Sequence, residues 1–115
     1  MKQQGGCHCG KVRFEAEVSA EKGMSCNCSI CGKRGTILTF VPEEGFKLLS
    51  GQDALTDYQF GKKSIHHYFC GTCGVSAFGA GATPDGKKMR AINLRCLDGI
   101  DLGKIQVQLV NGKDF

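Results

Sequence analysis

The sequence has few aromatic residues and no long apolar run. It contains no tryptophan, two prolines and 8% aromatic residues. No stretch approaches the roughly 20 apolar residues that a membrane-spanning helix needs, so we expect no membrane partner. Residues 1–7 include no apolar segment of the kind that a signal peptide requires, and we therefore expect a reducing, cytoplasmic environment.

The length of the chain allows only a modest core. At 115 residues it has the length of one domain, and no proline-rich, low-complexity or charge-block segment divides it. We therefore expect a single domain over residues 1–115. The 17 glycines indicate many tight turns. A small chain of this kind gains stability from a staple, which is either a disulfide or a metal ion.

Alternation of apolar and polar residues predicts strands. In residues 11–18, Val12, Phe14, Ala16 and Val18 share one face, and charged residues occupy the other. Further strand-like runs, bounded by turn signals, cover residues 36–41, 46–50, 55–60, 65–69, 75–78, 89–94 and 105–110. Helix is expected only near residues 28–33 and around 96–101. The pattern predicts a mainly β, antiparallel fold.

Cysteine is the residue that the chain has in excess. Seven of its eight cysteines fall in three glycine-flanked clusters, and the eighth is Cys96. The clusters are Cys7 with Cys9; Cys26 with Cys28 and Cys31; and Cys70 with Cys73. In a reducing compartment, clusters of this spacing are typical of zinc ligands rather than of disulfides.

Seven clustered thiols do not divide into two sites of four. The natural division is four plus three, although the spacing alone does not say which clusters share an ion. A zinc site with three protein ligands keeps its fourth position for water or substrate, as catalytic zinc does. Two Zn²⁺ ions on seven thiolates would also lower the formal net charge from +4 to about +1, so we regard a nucleic-acid partner as unlikely.

Four segments of the chain resemble the glutathione-dependent formaldehyde-activating enzyme family, which includes the centromere protein V-like proteins. They are GGCHCGKVRFEAEV, CNCSICGKRGTI, HHYFCGTCGV and AINLRCLDGIDL, and they span nearly the whole chain. The resemblance implies a Mss4-like fold of antiparallel sheets pinned by zinc knuckles. It also implies two Zn²⁺ ions: a structural one on Cys7, Cys9, Cys70 and Cys73, and a second, open toward the active site, on Cys26, Cys28 and Cys31.

The resemblance further implies an activity. The family adds glutathione to formaldehyde, which gives S-hydroxymethylglutathione, and it is classed among the carbon–sulfur lyases. A small thiol such as glutathione is therefore the expected partner. A thiol bound at an open zinc site loses its proton, and its thiolate could attack an aldehyde carbon. In this interpretation Cys26, Cys28 and Cys31 are the catalytic ligands.

A zinc ion on three thiolates has a net charge near −1, so a nearby cation would help to offset it and would also hold a substrate carboxylate. Lys33 and Arg34 directly follow the triple and are the best-placed candidates. Lys62 and Lys63 are weaker ones. The alternative for all four is an ordinary solvated surface.

Two adjacent histidines provide a further candidate. His66 and His67 should face opposite sides of a strand, so one of them could line a pocket. His67 lies three residues before Cys70 and could contact a thiolate or act as a general base. His8, between two ligands, is expected to be an outward-pointing turn residue.

The sequence allows more than one role for Cys96 and more than one function for the protein. Cys96 is either a free core cysteine or a fourth ligand that would close the second zinc site. The main alternative to an enzyme is a non-catalytic zinc-binding module for protein or nucleic acid. Zinc storage or redox sensing is a third possibility. The odd number of clustered ligands favours an enzyme or a sensor over a purely structural module.

Overall fold

The computed structural model describes residues 2–61 and 63–111, and these residues form mainly short strands. Ten strands lie in the described parts of the chain. They are β1 (Lys2–Gly6), β2 (Arg13–Glu17), β3 (Lys22–Cys26), β4 (Leu38–Pro42), β5 (Phe46–Ser50), β6 (Leu55–Tyr58), β7 (His67–Cys70), β8 (Phe78–Ala82), β9 (Lys88–Asn93) and β10 (Gln106–Val110). One four-residue α-helix, α1 (Cys31–Arg34), is described as well. No helix in these residues is long or apolar enough to span a membrane.

The strands form three sheets. One has three strands in the order β1-β2-β5, another has five in the order β10-β3-β4-β9-β8, and the third is the β6-β7 hairpin. Every pair is antiparallel except β10 with β3, which run parallel. The prediction of a mainly β fold is confirmed, but the sheets are mixed rather than wholly antiparallel.

The core lies between the three-stranded and five-stranded sheets. The predicted alternation in β2 and its flanks is confirmed, because Val12, Phe14, Ala16 and Val18 are all buried. The ring of Phe14 stacks on Phe46 at 5.7 Å between centroids, and Phe46 lies 4.6 Å from Phe78 on β8. These ring contacts connect the two sheets across the core.

Most predicted runs became strands. The run 46–50 has the same bounds as β5, and six other strands overlap their predicted runs. Strand β8 is displaced, because residues 75–77 close the turn that follows β7 and only Phe78 belongs to both ranges. Strands β1 and β3 were not predicted. Helix α1 overlaps the expected 28–33 segment. The second expected helix, around residues 96–101, does not form. One 3₁₀ turn, Leu94–Cys96, ends where it was expected to begin, and another, Leu102–Lys104, follows its expected end.

Candidate metal centres

The first candidate centre joins two turns that are distant in sequence. Cys7 and Cys9 lie between β1 and β2, whereas Cys70 ends β7 and Cys73 lies in the turn beyond it. The four sulfur atoms lie within 4.8 Å of one another. The Cys9 sulfur is 3.6 Å from the sulfurs of Cys7 and of Cys70. A tetrahedral zinc with bonds of about 2.3 Å requires sulfur–sulfur separations of about 3.8 Å, so this arrangement fits such an ion.

The two turns of this centre have the same backbone design. The N–H of Cys7 donates to the carbonyl of Val12 at 3.0 Å, and the N–H of Cys70 donates to Val75 at 3.0 Å, five residues on in each case. Gly10 and Gly74 have φ of 83° and 82°, a conformation that favours glycine. Each turn thereby directs its thiols toward the same point.

Backbone donors also favour thiolates at this centre. The N–H of Val12 donates to the Cys7 sulfur at 3.3 Å. The N–H groups of Val75 and Cys9 lower the pKa of the Cys73 thiol to about 6. Zinc requires its cysteine ligands in the deprotonated form, and these hydrogen bonds favour that form at Cys73. The sulfurs are separate thiols, since a disulfide would bring two of them to about 2.05 Å.

The second candidate centre lies where β3 passes into α1. Cys26 ends β3, Cys31 begins α1, and their sulfurs lie with that of Cys28 within 4.8 Å of one another. Burial and the neighbouring sulfurs of Cys28 and Cys26 raise the pKa of Cys31 to about 12. A bound cation would offset the repulsion between the thiolates and would displace their protons into solvent. This donor set therefore also fits a soft metal ion.

The second centre adjoins a large cavity. The cavity has a volume of about 760 Å³ and is lined by Cys26, Cys28 and Cys31. Its walls come from β3, β4, β8 and β9 and from the segment that carries Phe60 and Ile65. The cysteines of the first centre do not line it. The two centres therefore differ in their surroundings as well as in their ligand number.

Arg34 and His67 both line the cavity beside the three cysteines. The guanidinium of Arg34 donates to Ser76 Oγ at 3.1 Å and lies 5.7 Å from the centre of the Phe69 ring. Ser76 Oγ in turn donates to the Tyr68 carbonyl at 2.6 Å. These contacts hold the positive charge of Arg34 in place at the cavity wall.

The two histidines point in different directions, as predicted. His67 stacks on Phe60 at 5.2 Å and faces the cavity of the second centre, not the centre that contains Cys70. His66 Nδ1 instead lies 2.6 Å from a carboxylate oxygen of Asp57. Burial, reinforced by the charge of Arg34, lowers the pKa of His67 below its ordinary value of 6.5.

The remaining candidates that the structure describes do not line the cavity. Lys33 and Lys63 are exposed and do not line it, and Lys62 is outside the described residues. His8 is an exposed turn residue, as expected. Cys96 belongs to neither group of sulfurs. Its thiol is half-buried beside Asn93 Nδ2 at 3.5 Å, and burial raises its pKa to about 11. The structure therefore supports the interpretation of Cys96 as a free cysteine.

The sequence analysis missed most of the cavity wall. Leu38, Phe40, Phe60 and Phe78 come from separate strands and loops and line the same space. Each was counted only as one apolar residue of a strand. No spacing in the sequence indicates that these side chains meet, because their contact depends on strand order.

The fold and these sites define a mainly β protein with two cysteine groups that could each hold a metal ion. Residues 2–109 match the family described as glutathione-dependent formaldehyde-activating enzyme, and the chain belongs to that family. Its fold is consistent with the Mss4-like fold. The chain is also similar to a protein from Rhodobacter sphaeroides of known crystal structure. Their identity is 30% and the TM-score is 0.78, over 91% of this chain and 99% of the other. The likeness to centromere protein V-like proteins stays a prediction.

Proposed function

We propose that residues 1–115 act as one zinc domain, in a reducing compartment such as the cytoplasm, and that this domain catalyses carbon–sulfur lyase chemistry. Its substrate would be an adduct of glutathione or a related thiol with an aldehyde, such as S-hydroxymethylglutathione. The proposal follows from membership of the family and from one observation. Three thiols, rather than four, meet at the edge of a cavity that also contains a cation and an imidazole.

Cys26, Cys28 and Cys31 would hold one zinc ion, and Cys7, Cys9, Cys70 and Cys73 would hold another. At the second centre the ion would supply the positive charge that favours the thiolate form of a bound thiol. The chain's own contribution is to fix three donors at the end of β3 and the start of α1, so that the cavity meets their remaining side.

Arg34 would bind and orient the substrate. Its guanidinium is held by Ser76 and Phe69 and presents a fork of N–H donors that matches a carboxylate. A carboxylate of the thiol substrate would pair with it. This pairing would bring the substrate sulfur toward the three cysteines, whose negative charge the unpaired guanidinium helps to offset before the substrate binds.

His67 would handle the proton. Because burial lowers its pKa, its imidazole is neutral at pH 7 and can accept a proton on a ring nitrogen. Adduct formation makes one bond, between the thiol sulfur and the aldehyde carbon, and transfers the thiol proton to the carbonyl oxygen. His67 would relay that proton, and the reverse reaction uses the same steps.

The first test is the zinc content of the freshly purified protein before and after dialysis against a mild chelator. We expect two ions per chain, of which one is lost readily, because three ligands hold an ion less tightly than four. One tightly held ion that does not increase when zinc is resupplied would contradict the second site. That result would favour a non-catalytic zinc-binding module.

The second test couples zinc content to turnover. Cys28→Ser and Cys31→Ser should each retain one zinc ion and lose most exchange between glutathione, formaldehyde and their adduct, measured by NMR exchange spectroscopy. Cys96→Ser is the matched control and should retain both ions and full exchange. Undiminished exchange in a variant that has lost the second ion would refute this mechanism.

A further inference from the structure

The wall of the cavity beside Cys26, Cys28 and Cys31 is mostly apolar. Its apolar side chains include Met24, Leu38, Phe40, Phe60, Ile65 and Phe78. Apart from the cysteines, Arg34 and His67 are the ionisable residues that line it within the described chain, and no carboxylate is among them. The cavity therefore offers one fixed positive charge and a large apolar surface.

Three apolar side chains of this wall are also exposed to solvent. Phe40 is 49% exposed, Phe60 is 41% exposed and Ile65 is 50% exposed. Apolar side chains that lie together and remain in contact with water are typical of ligand-binding surfaces. An apolar group placed among them would remove this surface from water, and that gain would contribute to binding.

Formaldehyde and glutathione use little of this surface. The hydroxymethyl group that formaldehyde contributes has one carbon, whereas the cavity has a volume of about 760 Å³. Glutathione carries two carboxylates and an ammonium group. Arg34 can pair with one carboxylate, but the ammonium group would find no carboxylate partner in the described wall.

We propose that the aldehyde carbon of the substrate carries an apolar substituent, either an alkyl chain or an aromatic ring, that binds in this cavity. The polar remainder of the thiol would stay at the mouth, with one carboxylate on Arg34. This inference rests on the proposed function and narrows its substrate class. The chemistry is unchanged: a carbon–sulfur bond forms, the thiol proton passes to the carbonyl oxygen, and no oxidant or reductant is required.

Binding of stable thioethers tests the assignment without turnover. S-methylglutathione and S-hexylglutathione differ only in the length of the alkyl group, and each buried methylene strengthens binding by about fourfold. In calorimetric titrations of the zinc-loaded protein we expect the hexyl compound to bind at least ~30-fold more tightly. Equal affinities, or no binding of the hexyl compound, would overturn the inference.

Variants locate the bound alkyl group. Phe40→Ala should weaken binding of S-hexylglutathione by roughly tenfold and leave S-methylglutathione almost unchanged, and Phe40→Leu should restore most of the loss. Leu49→Ala is the matched control, because Leu49 is 43% exposed and lies outside this cavity. A loss of affinity in the Leu49 variant that equals the loss in the Phe40→Ala variant would overturn the assignment to this wall.

Turnover separates this inference from the proposed function. Faster adduct exchange with hexanal or benzaldehyde than with formaldehyde supports both. Exchange with formaldehyde combined with equal affinity for the two thioethers would leave the lyase activity standing and overturn the apolar substituent. Tight binding of the hexyl compound without exchange of any aldehyde would support the apolar site and contradict the lyase.

Discussion

Arg34 and His67 show how two side chains from separate elements set the electrostatics of one cavity. Arg34 ends α1 and His67 begins β7. The cations after the triple were predicted as a group, but the structure places Arg34 at the cavity and Lys33 in solvent. The difference follows from the direction of each side chain on a helix of four residues, which the sequence does not specify.

The pKa of His67 should respond in opposite directions to the two charges near it. Burial is the largest cause of its lowered pKa, followed by the charge of Arg34, whereas Asp57 raises it. Arg34→Gln should therefore raise the pKa of His67 toward 6.5 without reaching it, and Asp57→Asn should lower it further. NMR titration of the imidazole resonances measures both shifts, with Arg95→Gln as a control that should leave this pKa unchanged.

The sign of the effect on stability follows from the same shift. The folded-state pKa of His67 lies below the unfolded value of about 6.5, so the unfolded state binds the proton first as the pH falls. The contribution of His67 to folding is complete above pH 6.5 and decreases as the pH falls through the folded-state pKa. Arg34→Gln should reduce that decrease. A shift of the His67 pKa in the same direction in both variants would contradict this account.

At the scale of elements, strands with alternating apolar and polar side chains could be predicted from the sequence. Strands β1 and β3 have no such alternation and could not be predicted. Strand β1, KQQGG, has no large apolar side chain, yet it pairs with β2 over five residues. Strand β3 contains Gly23 and pairs with the distant β10. Parallel pairing between segments this far apart leaves no local pattern in a single sequence.

The cysteine clusters were easier to predict, because their chemistry depends on local spacing. The structure brings the seven sulfurs into groups of four and three, as the resemblance implied, and metal binding at them stays a prediction. The cavity beside the second group could not be predicted, because strand order decides which apolar residues meet. The spacing of cysteines within a turn can be read from a few consecutive residues, whereas the residues of a cavity wall come from distant parts of the chain.

Gly5 of β1 lies so close to neighbouring atoms that the structure has no room for a side chain there. A Cβ at Gly5 would lie 2.3 Å from the carbonyl oxygen of Cys96 and 2.9 Å from the Phe14 ring. Gly5→Ala should therefore lower the free energy of unfolding of the zinc-saturated protein by about 1–3 kcal/mol, since a backbone oxygen cannot move aside easily. Urea denaturation measures the change.

Gly45→Ala is the matched control for this substitution. The nearest atom to a Cβ at Gly45 is 3.6 Å away, which is an ordinary contact. Its free energy of unfolding should change by less than about 0.5 kcal/mol. Equal stability of the two variants would show that β1 does not approach Cys96 as closely as described.

At the scale of the whole molecule, binding of zinc cations should make the net charge of the protein less positive, because the cysteine ligands lose their protons. The formal charge is +4, and two Zn²⁺ ions on seven thiolates would reduce it to about +1. Isoelectric focusing should therefore place the zinc-loaded protein below the reduced, chelator-treated protein, although loading adds cations. Proton release, followed with a pH indicator during zinc titration, should accompany the shift.

A variant with Cys26, Cys28 and Cys31 all replaced by serine separates the two centres in the same experiment. When loaded with one ion, it should carry a charge of about +2 and focus at a higher pH than the loaded wild-type protein. Focusing of both loaded proteins at the same position would mean that the three cysteines bind no metal.

The parallel pairing of β10 with β3 makes the cavity of the second centre depend on the last strand of the described chain. Val110 lies opposite Cys26, and the N–H of Asn27 donates to the Val110 carbonyl at 3.1 Å. During synthesis a chain emerges with its N-terminus first, so the first group of thiols can assemble once Cys73 has left the ribosome. The strand that carries Cys26 gains its parallel neighbour only after residues 106–110 follow. Val110 also lines the cavity beside the three cysteines. A chain interrupted before β10 would therefore carry all seven clustered thiols beside an incomplete cavity.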